Sequence, residues 1–142
     1  MTSADKPSRV FVDSSAFLSL EDPDEAAHGA TRRAVRDLIG EGARFVTTNF
    51  VFDETYTLIL VRLGRRRAVA WGTSFKAGEL VELVRVDEEH EAGAWQILVR
   101  FDDKDFSYTD ATSFAVSESL GITRALSLDR HFGEYGRLEV LP

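Results

Sequence analysis

The sequence of 142 residues lacks cysteine altogether and contains only three prolines. Without cysteine the chain can form no disulfide bonds and no thiolate metal sites, so any metal must be bound by oxygen or imidazole. The longest aliphatic run covers residues 58–61, which is far short of the roughly 20 residues that span a bilayer. We therefore expect a cytoplasmic protein that does not enter a membrane.

Basic residues are also fewer than acidic ones. The chain has 17 lysines and arginines against 24 aspartates and glutamates, which gives a formal net charge of -7. This balance argues against a broad basic surface that holds polyanions by counterion release alone. Any nucleic-acid binding must therefore be local.

The hydrophobic content of 44% is sufficient for one core, because a chain of this length buries about two-thirds of its unfolded surface. We predict a single domain over residues 1–142, with residues 1–8 as a flexible N-terminal segment. Within it, runs of β-branched and aromatic residues predict strands at 9–12, 44–47, 80–86, 124–128 and 138–141.

Helical patterns separate these strands. They cover residues 16–20, 24–39, 50–63, 65–76, 88–101 and 108–120. Strands that alternate with helices of this length pair in parallel through right-handed crossovers. The sequence therefore predicts the α/β class, with helices on both faces of a parallel sheet.

Two aspartates directly follow predicted strands. Asp13 comes after residues 9–12, and Asp129 comes after residues 124–128. In open parallel sheets, ligands bind beyond the carboxyl ends of the strands, near the point where the strand order reverses. Either aspartate could instead be a structural helix N-cap, which satisfies an orphan backbone N–H for about 1 kcal/mol.

Glu54 lies in the helical segment 50–63, where we expect its carboxylate on an apolar face. The residues that share this face at helical spacing are Phe50, Val51, Leu58 and Val61. A buried, unpaired carboxylate is costly, and it escapes that cost by protonation, ion pairing or metal coordination. The structural alternatives are the helix dipole or an ion pair with an arginine such as Arg44. Asp53 faces another side of the helix and is at most a supporting residue.

Asp110 is the fourth acid, in the segment Ser107-Tyr108-Thr109-Asp110. This segment fits a capping box in which the acid returns a hydrogen bond to the cap, and that is its structural alternative. However, four acids from four segments all fall where an α/β fold gathers its active site. Two such charges 4 Å apart repel by roughly 4 kcal/mol at an effective dielectric near 20. A divalent cation relieves this repulsion, and oxygen donors suit Mg²⁺ or Mn²⁺.

Four segments together resemble the PIN-domain family. They are residues 10–17 (VFVDSSAF), 47–54 (TTNFVFDE), 106–111 (FSYTDA) and 126–132 (LSLDRHF). Their order, their spacing and the closing Leu-Asp-Arg-His-Phe sequence resemble the toxin-like VapC branch of that family. The resemblance extends over nearly the whole chain.

This resemblance implies a three-layer α/β/α sandwich with a central parallel sheet of four to five strands, and a metal-dependent endoribonuclease activity. The catalytic and metal-binding acids would be Asp13, Glu54, Asp110 and Asp129. Asp13 and Asp110 would bind Mg²⁺ or Mn²⁺ directly, and the other two acids would do so directly or through water. Ser14 and Thr109 would orient these ligands.

The resemblance also implies partners. Members of the VapC branch commonly form homodimers, and as toxins of type II toxin–antitoxin pairs they are held inactive by a cognate antitoxin. We therefore expect an RNA substrate, an antitoxin protein and a second copy of the chain. The alternatives are a non-catalytic PIN-like domain that binds RNA or protein, and a PIN nuclease of RNA processing.

Contacts with RNA require local positive charge. The densest basic cluster is Arg62, Arg65, Arg66 and Arg67. It lies at the end of the helix that carries Glu54, so solvated charge near a helix C-terminus is an equally open interpretation. In the family pattern His131 packs or caps beside Asp129, and we assign it no catalytic role. Trp71 and Trp95 fall within predicted helices, where core or dimer packing is favoured over base stacking.

Two other families that place acids at strand ends fit less well. A phosphatase of the haloacid-dehalogenase type needs a second aspartate two residues after the first, where this chain has Ser15. A response-regulator receiver domain needs an acidic pair at the first strand and a phospho-acceptor aspartate after a middle strand. Neither feature is evident.

Overall fold

The computed structural model describes residues 8–142. In this part of the chain the strands are β1 (Arg9–Val12), β2 (Arg44–Thr48), β3 (Val81–Val84), β4 (Arg124–Leu126) and β5 (Glu139–Leu141). The helices are α1 (Ser14–Glu21), α2 (His28–Gly40), α3 (Asn49–Leu63), α4 (Arg65–Ala77), α5 (Glu88–Arg100), α6 (Tyr108–Ser119) and α7 (Arg130–Tyr135). None of these described helices combines the length and apolar character of a membrane span.

The five strands form one parallel sheet in the order β3-β2-β1-β4-β5. The chain builds the sheet outward from β1 in one direction and then returns to the other side of β1 with β4. The strand order therefore reverses between β1 and β4, which is where an open α/β sheet opens a crevice for a ligand. Helices cover both faces, so the predicted α/β/α sandwich is confirmed.

The core lies against the central strands. Val10 and Phe11 of β1, Val46 of β2 and Leu126 of β4 are fully buried. Each such side chain stabilises the fold by about 1.5–3 kcal/mol relative to an exposed one. Both faces of the central strands are covered, so their residues form continuous apolar runs rather than an alternating pattern.

The ends of several elements differ from the sequence prediction. Helix α2 begins at His28, because residues 24–27 form turns after Pro23. Asn49, predicted as the cap of α3, is its first residue instead. Thr48 is the cap and accepts a hydrogen bond from Val51 N at 3.1 Å. Asn49 is used elsewhere, since its Oδ1 accepts a bond from Val86 N at 2.8 Å.

The N-terminal prediction concerns residues that lie mostly outside the described chain. Residues 1–7 are not described, so the flexible segment over residues 1–8 stays a prediction. Ser8 is described, and its carbonyl oxygen accepts a hydrogen bond from Arg44 N at 2.7 Å, which extends the pairing of β1 with β2.

Candidate active site

Asp13 follows β1, the central strand, and caps α1. Its backbone N–H donates to the Leu126 carbonyl at 3.1 Å, which fixes it beside the end of β4. Its side chain is 2% exposed. Oδ2 accepts hydrogen bonds from the hydroxyls of Ser15 at 2.7 Å and Ser127 at 3.1 Å. Asp13 is therefore buried at the point where the strand order reverses, with one oxygen firmly held.

Glu54 lies on α3, and its Oε1 accepts a hydrogen bond from the Ser14 hydroxyl. Its side chain is half-buried rather than enclosed. The predicted apolar face was partly wrong, because Val61 is 77% exposed. The buried residues of α3 are Val51, Thr55 and Ile59, so Glu54 lies at the border of the core. No ion pair joins it to Arg44 in the described structure, and Asp53 is exposed.

Asp110 occupies the first turn of α6, and the predicted capping box is present. Ser107 Oγ accepts a bond from Asp110 N at 2.9 Å, and Asp110 Oδ2 accepts a bond from Ser107 N at 3.1 Å. The Asp110 side chain is nevertheless buried, with 4% exposure. The capping box by itself does not require this burial.

Asp129 caps the short helix α7, and its Oδ1 accepts a hydrogen bond from His131 N at 2.9 Å. The imidazole Nδ1 of His131 lies 2.8 Å from the same Oδ1 and 3.5 Å from Asp110 Oδ2. The ring nitrogens are not aligned for a hydrogen bond to either acid. His131 therefore packs beside Asp129, as the family pattern implies, and also reaches Asp110.

The four carboxylates share one arrangement. In the described part of the chain, every hydrogen bond to a given carboxylate falls on one of its two oxygens. The bonded oxygens are Asp13 Oδ2, Glu54 Oε1, Asp110 Oδ2 and Asp129 Oδ1. The other oxygen of each group has no hydrogen-bond partner from the described residues. Each acid is thus positioned by one atom and offers the other to a ligand.

The electrostatics of the site oppose negative charge. Burial raises the pKa of the Asp13 carboxyl, and the charge of Asp129 adds to the rise. Burial also raises the pKa of Glu54, with further contributions from Asp13 and Asp129. Burial raises the pKa of Asp110 to about 6, again with help from Asp129 and Asp13. Without a cation, the carboxylates therefore disfavour one another's charged forms.

Three of the acids open onto a depression of about 400 Å³. Its charged lining consists of Asp13, Glu54, Asp129, Glu25 and Arg62, and Leu58 adds apolar surface. Asp110 does not contribute to this lining. The depression therefore brings three carboxylates of the site and the Arg62 guanidinium group around one space.

The donor set fits a hard divalent cation. Within residues 8–142, no lysine or arginine forms an ion pair with any of the four acids. Buried carboxylates without a cationic partner are costly, and free oxygens from several acids are the ligands that Mg²⁺ and Mn²⁺ prefer. One ligand atom each from Asp110, Asp129 and His131 also lie within 4.8 Å of one another.

The supporting residues were only partly foreseen. Ser14 contacts Glu54, but no hydrogen bond joins the Thr109 side chain to the described acids, and its carbonyl accepts bonds from Thr112 and Ser113 instead. Ser15 and Ser127, which both hold Asp13, were missed. Ser15 is two residues beyond a capping aspartate, which is a sequence signal for such a bond. Ser127 offers no comparable signal, because its contact crosses between strands.

The arginines divide into two groups. Arg62 belongs to the last turn of α3 and lines the depression, whereas Arg65, Arg66 and Arg67 begin α4. The interpretation as charge near a helix C-terminus therefore applies only to Arg62. Arg67 donates a hydrogen bond to the Glu21 carbonyl.

The two tryptophans differ in their exposure to solvent. Trp71 is 8% exposed and packs in the core, as predicted. Trp95 is 62% exposed. Of the two roles predicted for Trp95, only packing against a partner stays open.

Comparisons with known proteins identify the family. The family model of the PIN domain matches residues 10–138. The chain is 36% identical over 133 residues to the 23S rRNA-specific endonuclease VapC20 of Mycobacterium tuberculosis. The aligned region covers 94% of this chain and 98% of that protein. It is 31% identical over 117 residues to a VapC ribonuclease of Archaeoglobus fulgidus, with 82% of this chain and 72% of that protein covered.

The solved structures show the same fold. The crystal structure of M. tuberculosis VapC20, described as a toxin that cleaves the sarcin-ricin loop, superposes with a TM-score of 0.84 and covers 94% of this chain and 99% of that one. VapBC2 from Rickettsia felis, bound to a DNA fragment from its promoter, matches with a TM-score of 0.72 at 6% identity and covers 93% and 96% of the two chains. The second likeness shows the fold alone. The chain belongs to the PIN-domain family, in its VapC branch of nucleases.

Proposed function

We propose that this nuclease hydrolyses phosphodiester bonds of RNA with Mg²⁺ or Mn²⁺ held by the four carboxylates. The observation that carries the proposal is the arrangement of those acids, each fixed through one oxygen with the other oxygen free. Purely structural roles do not require these acids to gather with Asp13 and Asp110 buried and with no lysine or arginine partner among the described residues. The raised pKa of Asp110 fits a site whose carboxylates are stabilised by a bound cation.

The residues of the chain have distinct roles in this proposal. Asp13 and Asp110 bind the cation directly, and Glu54 and Asp129 bind it directly or through water. Ser14 and the two serines on Asp13 keep the carboxylates oriented. When bound, the cation lowers the pKa of a water molecule and stabilises negative charge on the phosphate.

Arg62 is the basic residue that best fits a contact with the RNA backbone. It lines the depression with the acids, and it forms no ion pair within the described residues. A guanidinium group binds phosphate oxygens with two parallel hydrogen bonds. Arg65, Arg66 and Arg67 extend the positive charge beyond the depression and would contact more distant phosphates.

The relatives suggest the biological context. We propose that the chain is the toxin of a type II toxin–antitoxin pair, is held inactive by a separate antitoxin protein, and acts in the cytoplasm. The 36% identity to an enzyme named for 23S rRNA makes ribosomal RNA the first substrate to test. We also propose a homodimer, because apolar side chains such as Trp95 and Val99 on α5 are 62% and 64% exposed.

The test is cleavage of purified ribosomes and of total cellular RNA in the presence of Mn²⁺ or Mg²⁺. Discrete fragments that require the metal and disappear in Asp13→Asn support the proposal, with EDTA as the metal control. Arg32→Gln, on the exposed face of α2, is the matched control and should cleave normally. RNA that is bound by the wild type and by Asp13→Asn, yet cut by neither, would instead identify a non-catalytic RNA-binding member of the family.

A further inference from the structure

Helix α3 carries a row of side chains that extends along the site. Phe50, Glu54, Leu58 and Arg62 follow one another at intervals of four residues, so each lies about one turn from the next. The last three all line the depression. Phe50 begins the row at the N-terminal end of the helix, about 18 Å from Arg62 along the axis, from the 1.5 Å rise per residue. The row therefore extends past the carboxylates in the direction opposite to Arg62.

Phe50 is paired with an aromatic residue of another site-bearing helix. Tyr108 is the first residue of α6, two positions before Asp110. The two rings have their centroids 6.1 Å apart and their planes tilted by 36°. Tyr108 is 39% exposed, and Phe50 is half-buried. The pair thus presents aromatic surface to solvent next to two helices that each supply a carboxylate.

The Tyr108 ring is also held at its far end. Its hydroxyl donates a hydrogen bond to Glu91 Oε1 of α5 at 2.8 Å. A ring fixed both by an aromatic neighbour and by a hydrogen bond loses little conformational entropy when a ligand packs on it. Tyr108 is therefore a partly exposed aromatic ring in a fixed orientation, two residues from Asp110.

The negative net charge of the protein makes contacts that do not depend on positive charge more important for RNA binding. A chain with a net charge of -7 gains little affinity for RNA from general electrostatics. Stacking of a base on an aromatic ring does not depend on positive charge, and it contributes strongly to single-strand binding.

We propose that Phe50 and Tyr108 form a base-stacking subsite for single-stranded RNA. One base stacks on Tyr108 while a neighbouring phosphodiester lies at the carboxylates and the strand continues toward Arg62. This inference rests on the proposed RNA function. It identifies the ligand as an unpaired nucleotide, and because every base has an aromatic face it does not select among the four bases.

The experiment uses the cleavage-deficient Asp13→Asn protein as the parent, so that RNA binds without being cut. Two fluorescein-labelled probes of equal length and charge are compared by fluorescence anisotropy in Mg²⁺: a 12-nucleotide oligoadenylate and a ribose–phosphate chain without bases. Tyr108→Leu added to the parent should weaken binding of oligoadenylate about tenfold and leave the base-free chain unaffected. Tyr108→Phe keeps the ring and should restore the binding of oligoadenylate.

Each other outcome overturns the subsite. Equal affinity of oligoadenylate for the parent and the Tyr108→Leu variant removes the stacking role and leaves the proposed RNA function standing. Equal weakening with both probes, together with a lower melting temperature, shows that the ring only supports the packing of α6 on α3. Binding of neither probe to the parent overturns RNA binding itself, and the subsite with it.

Discussion

Ser127 and Asp13 join the two central strands at the point where the strand order reverses. The Ser127 hydroxyl donates to Asp13 Oδ2 at 3.1 Å, and its oxygen accepts a hydrogen bond from the backbone N–H of Asp129 at 3.0 Å. One buried hydroxyl thus sets the positions of two acids from different segments. This serine therefore helps to order the site, although nothing in the sequence made it conspicuous.

We therefore predict that Ser127→Ala weakens Mn²⁺ binding. Loss of residues that orient metal ligands typically costs 10- to 100-fold in affinity, and we expect an effect of about that size. Isothermal titration calorimetry of the purified protein measures it directly. Ser119→Ala removes an exposed hydroxyl from the end of α6 and serves as the control. An unchanged Mn²⁺ affinity in Ser127→Ala would contradict the role assigned to the serine.

Asp110→Asn is predicted to stabilise the metal-free protein at pH 7.5 while it abolishes cleavage. At that pH the Asp110 carboxyl, with its pKa raised to about 6, is charged in an unfavourable setting. The amide removes the charge, and its oxygen can still accept the bond from Ser107 N. Asp110→Ala loses the acceptor for Ser107 N, a single hydrogen bond worth about 0.5–1.5 kcal/mol. Thermal unfolding in EDTA should rank Asn above wild type and Ala below Asn. A melting temperature of Asp110→Asn below that of the wild type would refute the repulsion.

The effect of pH on metal binding has a defined sign. A raised carboxyl pKa means that the folded protein holds its proton more tightly than the unfolded chain, so this group's contribution to stability falls as the pH rises from 3.8 to about 6. Mn²⁺ competes with that proton. We predict that saturating Mn²⁺ raises the melting temperature more at pH 7.5 than at pH 5. An equal rise at both pH values would show that Asp110 is not a ligand.

Much of the fold and site was accessible from sequence, because strand, turn and helix signals coincide at Asp13, Asp110 and Asp129. Capping and metal binding are alternatives at the level of sequence, yet Asp13 and Asp129 cap helices, Asp110 completes a capping box, and all three also lie in the site. A carboxylate has two oxygens and can serve both roles. Sequence patterns cannot reveal this, because they do not resolve individual atoms.

The face of α3 was misjudged for a different reason. Thr55 is fully buried, although threonine counts as polar in a hydrophobic pattern. Its hydroxyl donates to the Val51 carbonyl at 2.7 Å, so the polar atom is satisfied within the helix and the side chain packs like an apolar one. This rotates the buried face toward Val51, Thr55 and Ile59 and leaves Val61 exposed.

Arg62→Gln is predicted to weaken RNA binding more than Arg66→Gln, because only Arg62 lines the depression. If Arg62 contacts one phosphate, its loss should reduce the slope of log affinity against log salt by about 0.7 for a single strand. Anisotropy titrations of Asp13→Asn with labelled RNA at several salt concentrations give this slope. Arg32→Gln on α2 is the control. Identical slopes for the Arg62 and Arg32 variants would show that Arg62 does not touch the backbone.

The homodimer proposal makes a prediction about mass. Light scattering at micromolar concentration should give twice the 15.9 kDa of the single chain. Trp95→Glu places a charge in the exposed apolar surface of α5 and should shift the protein toward the monomer, because an unpaired charge is costly to bury in an interface. A monomeric mass for the wild type would refute the proposal.

In each of the four acids, one carboxylate oxygen accepts the hydrogen bonds that support the fold, and the other is free to bind a metal ion. Folding and metal binding therefore depend on different atoms of the same side chain. An aspartate-to-asparagine exchange keeps an acceptor for the fold and replaces the ligand oxygen with an amide that repels a cation. Catalysis can therefore be lost in one mutational step while the surface that partners recognise remains intact. The fold can therefore persist in evolution after the activity is lost. A single substitution is enough to produce a relative that binds partners but does not cleave.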